Sequence, residues 1–245
     1  MPWRRRRGKV AIGVTGLIPN RFLFDFEFPL RYRAAIPTMD GRLAGWSDEE
    51  RLPNFGSLDG RPSFADVWAC WSETGLALAV RVAGKRRALQ CDAKKYWTGD
   101  NIRLCTDMRD ARSNKRATRF CQQFFFLPTG GGGRRTQPVA GVGQFQRARE
   151  NAPSVPAERI QVTSAINPGG YALEAFIPAA CLSGFDPVEH GRIGFYYIVE
   201  DRERGSQYLT VGDDLYWNVD PSTWATAVLA RLATSVRPDA EIPAT

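Results

Sequence analysis

Few side chains in this sequence have the type and spacing for covalent chemistry. The chain has one histidine, His190, in Pro187-Val188-Glu189-His190-Gly191, a turn just before a strand-like run. One histidine excludes a two-His zinc site and a His–His acid/base pair. No G-x-S-x-G nucleophile elbow accompanies it. Glu174 and Glu200 lie in strand-like runs and would serve glycoside hydrolysis only if the fold set them across one cleft. Asp107, Asp110 and Asn114 could hold a cation, but they lack the loop glycine and terminal Glu of an EF-hand, and Arg109 and Arg112 would repel the ion. Asp213, Asp214 and Asp220 form a second acidic group. The Gly130–Gly133 run lacks the Lys-Ser/Thr of a phosphate loop and reads as a loop tip. The sequence therefore predicts no catalytic centre and no metal centre.

The aromatic residues carry more information. Trp97 sits at a tight turn, Trp97-Thr98-Gly99-Asp100, and Trp217 sits in a loop before Asp220-Pro221-Ser222. An exposed indole gives up burial that a core position would recover. Two loop tryptophans either cap the ends of a core or form a platform or clamp for the apolar faces of a sugar ring. On the strand after Trp97, alternation places Asn101, Arg103, Cys105 and Asp107 on one face, opposite Ile102, Leu104 and Thr106.

The elements around these residues read as strands. In 245 residues, 23 are glycine, 16 proline, 14 Phe, 7 Trp and 7 Tyr. That mixture suits short strands and turns better than long helices. Alternating or continuous apolar runs predict strands at Phe22–Pro29, Phe64–Trp71, Leu76–Val82, Asn101–Asp107, Thr118–Leu127, Ile160–Ile166, Tyr171–Ile177, Arg192–Asp201 and Trp224–Leu232. Ser72–Gly75 and Asn167–Gly170 close two hairpins. Residues 134–158 show no clear period and read as the least ordered internal stretch. The fold class expected is all-β, an antiparallel β-sandwich of jelly-roll or immunoglobulin-like type. One domain spans 21–235, between a basic, disordered tail over 1–20 and a flexible tail over 236–245.

The net charge is +7, and Arg4, Arg5, Arg6, Arg7 and Lys9 carry five of the excess positive charges. Without them the balance falls to +2. Arg4–Arg7 could make weak polyanion contacts. Five cysteines without a C-x-x-C, three of them (Cys70, Cys105 and Cys121) in strand-like runs, read as buried free thiols rather than a disulfide framework. Val10–Ile18 is too broken to serve as a secretory h-region, and no apolar run reaches the ~18 residues of a membrane span. These features lead to an expected cytoplasmic location.

The order of several segments resembles a known family. These are Met39-Asp40-Gly41 with Trp46, Trp68–Val82, Trp97–Asp107, Gly169–Ile177, Ile193–Asp201, and Trp217-Asn218-Val219-Asp220-Pro221-Ser222-Thr223-Trp224. Together they resemble a family 9 carbohydrate-binding module, within the wider DOMON-like group, over roughly Phe22 to Leu232. The resemblance implies a non-catalytic β-sandwich that binds the ends of mono-, oligo- or polysaccharides between two tryptophans, here Trp97 and Trp217. It also places Arg103 where characterised members carry a glutamate that bonds sugar hydroxyls. A basic contact of the family falls near Gln123 and an amide contact near Asp214. A structural calcium of the family would need an Asp at the end of the second hairpin strand, where Val82-Ala83-Gly84-Lys85 stands, so no cofactor is expected. Two alternatives remain at this level: a ligand-free structural or protein-interaction sandwich, and a haem or redox domain drawing on Met39, Met108 or His190.

Overall fold

In the computed structural model, residues 25–55, 62–210 and 212–231 are described. The two terminal tails, Arg4–Arg7 included, lie outside the described residues. Eleven strands form: β1 (Glu27–Tyr32), β2 (Ala65–Ser72), β3 (Gly75–Ala83), β4 (Asn101–Asp107), β5 (Cys121–Gly131), β6 (Gln137–Gly143), β7 (Gln161–Asn167), β8 (Gly170–Pro178), β9 (Arg192–Asp201), β10 (Gly205–Tyr208) and β11 (Ala225–Ala230). Only short 3-10 turns interrupt them, so the chain is all-β. No helix among the described residues is long and apolar enough to cross a membrane.

The strands make one hydrogen-bonded path, β6-β5-β4-β9-β11-β1-β2-β3-β8-β7, with β10 added to β9. Its end strands β6 and β7 touch, so the sheet is nearly closed into a barrel. The expected division into two sheets is not what the hydrogen bonding gives, because β1 bridges the halves. It runs parallel to β11 over five residue pairs and parallel to β2 over two, Arg31↔Cys70 and Tyr32↔Trp71. These two ladders also correct the expectation of a purely antiparallel sheet. The long connection from β1 to β2 permits a parallel return that a tight hairpin forbids. β1 and β11 come from opposite ends of the chain, so no short loop fixes their relative direction.

Period-2 alternation sets the core. Val67, Ala69 and Trp71 on β2 and Leu76, Leu78, Val80 and Val82 on β3 face it. Asp66, Trp68 and Cys70 fall on the other side of β2. The loop before β2 covers part of that face: the Glu174 carboxylate accepts from Gly41 N (2.5 Å) and Trp46 Nε1 (2.9 Å). Glu174 is thus a buried loop anchor.

Two strands escaped the sequence pattern. β6 lies inside the stretch expected to be irregular, and β10 carries only four residues. β6 has a weak apolar signal because two of its positions must be glycine. A Cβ on Gly141 would fall on the Phe125 ring, and one on Gly143 would fall on the Tyr96 hydroxyl. Both glycines therefore make room for aromatic rings on one face of the sheet.

All five cysteines are free, with Cys70, Cys105, Cys121 and Cys181 buried and Cys91 half-buried. Burial pushes the Cys70 and Cys121 thiols up to about 12 and Cys91 to about 11. Titration with a thiol reagent at neutral pH should label the folded protein slowly, Cys91 first, and reach five thiols in denaturant without reductant. Rapid labelling of Cys70 or Cys105 in the folded state would contradict this burial.

Candidate functional site

The β-ladder registers assemble a second face on β6-β5-β4-β9, on the side of the sheet opposite Ile102, Leu104, Phe124 and Phe126. Arg103 pairs with Phe125 and Ile198, Cys105 with Gln123 and Tyr196, Asn101 with Glu200, and Gln123 and Phe125 with Gly143 and Gly141. Residues directly opposite in a ladder share a face, so all of these side chains point the same way. Tyr96 lies flat on this face, stacked on Phe125 with ring centroids 4.1 Å apart and planes 9° from parallel. Trp97 stands edge-on to Tyr96 at 5.2 Å and 87°, and is 51% exposed.

Trp217 is placed differently. It is only 1% exposed. Its ring stacks on Tyr196 (5.0 Å, 17°), and the Arg103 guanidinium lies 4.8 Å from its centroid. Its indole N–H donates to Asp213 Oδ1 (2.8 Å), whose other oxygen accepts from the Tyr208 hydroxyl (2.9 Å). Burial pushes that hydroxyl up to about 12, so it remains a donor at neutral pH. The Trp217 carbonyl accepts from the Trp224 indole (2.8 Å).

Arg103 is therefore both a lid on Trp217 and a wall of the open surface. It ion-pairs with Glu200 at 2.6 Å, and Asn101 Nδ2 donates to the same carboxylate at 2.9 Å. Asp214, where the resemblance puts an amide contact, sits in the 3-10 turn Asp213–Leu215, and its side chain lies outside the described residues. The Arg103 Nε–H is buried without a partner, behind the face that the guanidinium turns to the site. Above Arg103 opens a depression of about 420 Å³ lined by Trp97, Gln123, Gln144, Gln146 and Asn218 besides Arg103 and Tyr96. Of the residues singled out by sequence, Trp97, Arg103 and Gln123 line it and Trp217 lies beneath. Gln144, Gln146 and Asn218 were missed, because an exposed amide in a loop carries no periodic signal.

A buried ion cluster fixes the turn that presents Trp97. Lys85 follows β3, is 6% exposed, and its ammonium bonds Asp100 Oδ1 (2.9 Å) and Asp201 Oδ2 (2.6 Å). Asp100 Oδ2 accepts from Gln90 N (2.6 Å), and Asp100 N donates to Gln90 O (2.8 Å). Asp201 Oδ1 accepts from Glu203 N and Arg204 N (2.8 and 2.9 Å). Three loops are so tied to one cation beside the Trp97 turn. Burial alone would raise the Asp201 carboxyl, but the Lys85 ammonium and the two backbone N–H groups hold it below the usual range. These residues do not fit a calcium ion, since an ammonium already lies between the two carboxylates. No group of three or more His, Cys, Asp or Glu among the described residues could hold a metal. Four of the acids considered for a metal in the sequence hold other partners: Asp107 accepts from Arg109 N and Ala111 N, Asp110 from the Thr226 hydroxyl, Asp213 from the Trp217 indole, and Asp220 from Ser222 N.

At the sequence level the chain matches no family model and no curated protein. Among solved structures it is similar to a family 9 carbohydrate-binding module from Caldicellulosiruptor kristjanssonii in complex with cellotriose. The TM-score is 0.55 at 13% identity, over 89% of this chain and 99% of the other. A structure of such a module from the same organism in complex with glucose matches with a TM-score of 0.56 at 13% identity, over 86% and 100%. These two likenesses agree: the chain has a fold like that of the family 9 carbohydrate-binding modules.

Proposed function

We propose that this chain is a non-catalytic carbohydrate-binding domain whose site is the depression beside Trp97. The observation that carries the reading is the pairing of a half-exposed indole with a wall of amides, Gln123, Gln144, Gln146 and Asn218, beside Arg103. An indole face matches the C–H face of a sugar ring, and each amide both donates to and accepts from hydroxyls. The charge of Arg103 is matched by Glu200, so the depression suits a neutral sugar. In this reading the ring stacks on Trp97 and meets Arg103 on the opposite wall, with Trp217 acting beneath as the seat of Arg103. That modifies a clamp of two open tryptophans. The similar modules seen with cellotriose and glucose support the choice of ligand class.

Calorimetric titration with glucose and cellobiose tests it. Affinity is expected to be weak, micromolar to millimolar, because a short sugar buries few atoms. Trp97→Ala should lower it by about tenfold or more, through lost stacking and buried area, with the melting temperature nearly unchanged. Unaltered affinity in Trp97→Ala would remove this site. Absence of binding to every neutral sugar would favour the ligand-free interaction domain, a reading consistent with the closed Arg103–Glu200 pair. Turnover of a glycoside by the pure protein would overturn the non-catalytic reading.

A further inference from the structure

The Trp97 turn has a second side. Tyr96 and Trp97 border the amide-lined depression, while Thr98 and Gly99 border another of about 480 Å³, lined also by Gln90, Cys91, Asp92, Arg135 and Arg202. Two exposed cations, Arg135 and Arg202, line it, and four more exposed cations, Arg86, Arg87, Lys94 and Lys95, lie on the segments that flank Leu89–Asp92 in the chain. The loops that carry them meet here. Arg202 donates to the Gln90 side chain, and Gly130, at the root of the Arg135 loop, rests against Cys91.

The acids of this end bond backbone N–H groups or the buried Lys85 and form no salt bridge with those cations. Asp92 accepts from Lys94 N and Lys95 N, and Glu203 accepts from Arg86 N and Arg87 N (both 2.9 Å). Asp100 and Asp201 are buried on Lys85. None of the six cations forms a salt bridge among the described residues. Some cations elsewhere on the surface are paired: Arg51 and Arg81 with Asp66, Arg192 with Glu27, and Arg231 with Glu73. Arg135 and Arg202 thus bring two positive charges without a salt bridge to one concavity, whose low-dielectric walls focus their field.

We propose that this basic depression is a second binding surface, which takes an anionic segment of a polysaccharide, bearing carboxylates or sulfates, that continues past the Trp97 turn. The proposal rests on the carbohydrate reading of the neighbouring site. Arginines suit such groups because each guanidinium offers a planar fork to a carboxylate or sulfate. A polysaccharide is favoured over a nucleic acid because the adjoining depression is lined by amides suited to hydroxyls, whereas the basic one offers no aromatic ring for bases to stack on.

Oligogalacturonate and cellobiose, titrated separately into the full chain at low and physiological salt, test the proposal. Oligogalacturonate should bind the wild type, weaken steeply as salt rises, and lose about tenfold or more in Arg135→Glu/Arg202→Glu through lost and reversed charge. Cellobiose affinity should be the same in that variant, which also shows that the variant is folded. Oligogalacturonate binding that ignores the double reversal, or no such binding by a wild type that binds cellobiose, overturns the proposal and leaves the neutral site standing. Equal or tighter binding of single-stranded DNA at the same salt also overturns it, by making the surface a general polyanion contact. Absence of cellobiose binding, with oligogalacturonate binding still dependent on both arginines, instead removes the neutral reading of the Trp97 depression and retains the basic surface.

Discussion

Lys85→Met should lower the melting temperature by on the order of 10 °C, from a loss of about 3–5 kcal/mol when one partner of a buried ion cluster is removed. Methionine keeps most of the stem and its packing, so the loss reads the charge. Two carboxylates, Asp100 and Asp201, would be left in a buried site with one cation fewer. The pH dependence follows from the shifts. Asp201 is held below its usual range, so its contribution is present above about pH 4 and fades as pH falls through the folded value. For Lys85, burial would lower the ammonium, but Asp201 and Asp100 more than offset this and raise it. Its contribution is complete below about pH 10 and fades only as pH rises above its folded value. The gap between wild type and Lys85→Met should therefore be widest near neutrality and narrow in acid, where the orphaned carboxylates can protonate. Adding Asp201→Asn to Lys85→Met should restore part of the loss, an outcome that mere packing by Lys85 would not give. The wild type should melt at the same temperature in EDTA and in excess calcium. A calcium-dependent rise in the wild type, or a Lys85→Met protein as stable as its parent, would show that the ammonium is not what ties these loops.

Lys85 also shows where the sequence stops being legible. Its position after β3 reads only as the absence of an expected aspartate. Nothing local announces that two carboxylates 15 and 116 residues away close on its ammonium. The strands were easier, because alternation is a local signal: β2, β3, β4, β8 and β9 lie where their apolar residues place them. The sheet path was not, because the β1–β11 and β1–β2 pairings are long-range and parallel. β6 was hidden by the same glycines that let Tyr96 and Phe125 stack. For the site, the turn and the alternation of β4 were enough to put Trp97 and Arg103 at one surface. The partner of Arg103 was not readable, since Glu200 reaches it only through the register of β4 on β9. Nor was the depth of Trp217, whose loop position suggests exposure but whose indole finds Asp213 four residues earlier and folds inward.

That depth sets the other large effect. Trp217→Ala should cost about 3–5 kcal/mol, the range for deleting a fully buried aromatic ring. The ring's removal opens a cavity beside Tyr196, leaves Asp213 Oδ1 without its donor, and takes the seat from under Arg103. Urea unfolding reads the loss directly as a lower midpoint with an unchanged slope. Affinity alone cannot separate support from contact in this variant, because the wall of the site collapses with the ring. Trp217→Phe makes the separation. Phenylalanine can still stack on Tyr196 and underlie Arg103, and it forfeits the indole hydrogen bond, worth about 1 kcal/mol. If Trp217 acts as the seat of Arg103, Trp217→Phe should bind cellobiose within about twofold of wild type, whereas Trp97→Ala loses about tenfold. If a sugar instead displaces Arg103 and lies between two indoles, Trp217→Phe should lose affinity comparably to Trp97→Ala. Arg103→Ala, which uncovers the Trp217 face, should then bind more tightly rather than less. The sign of the Arg103→Ala effect therefore distinguishes an arginine wall from a second indole.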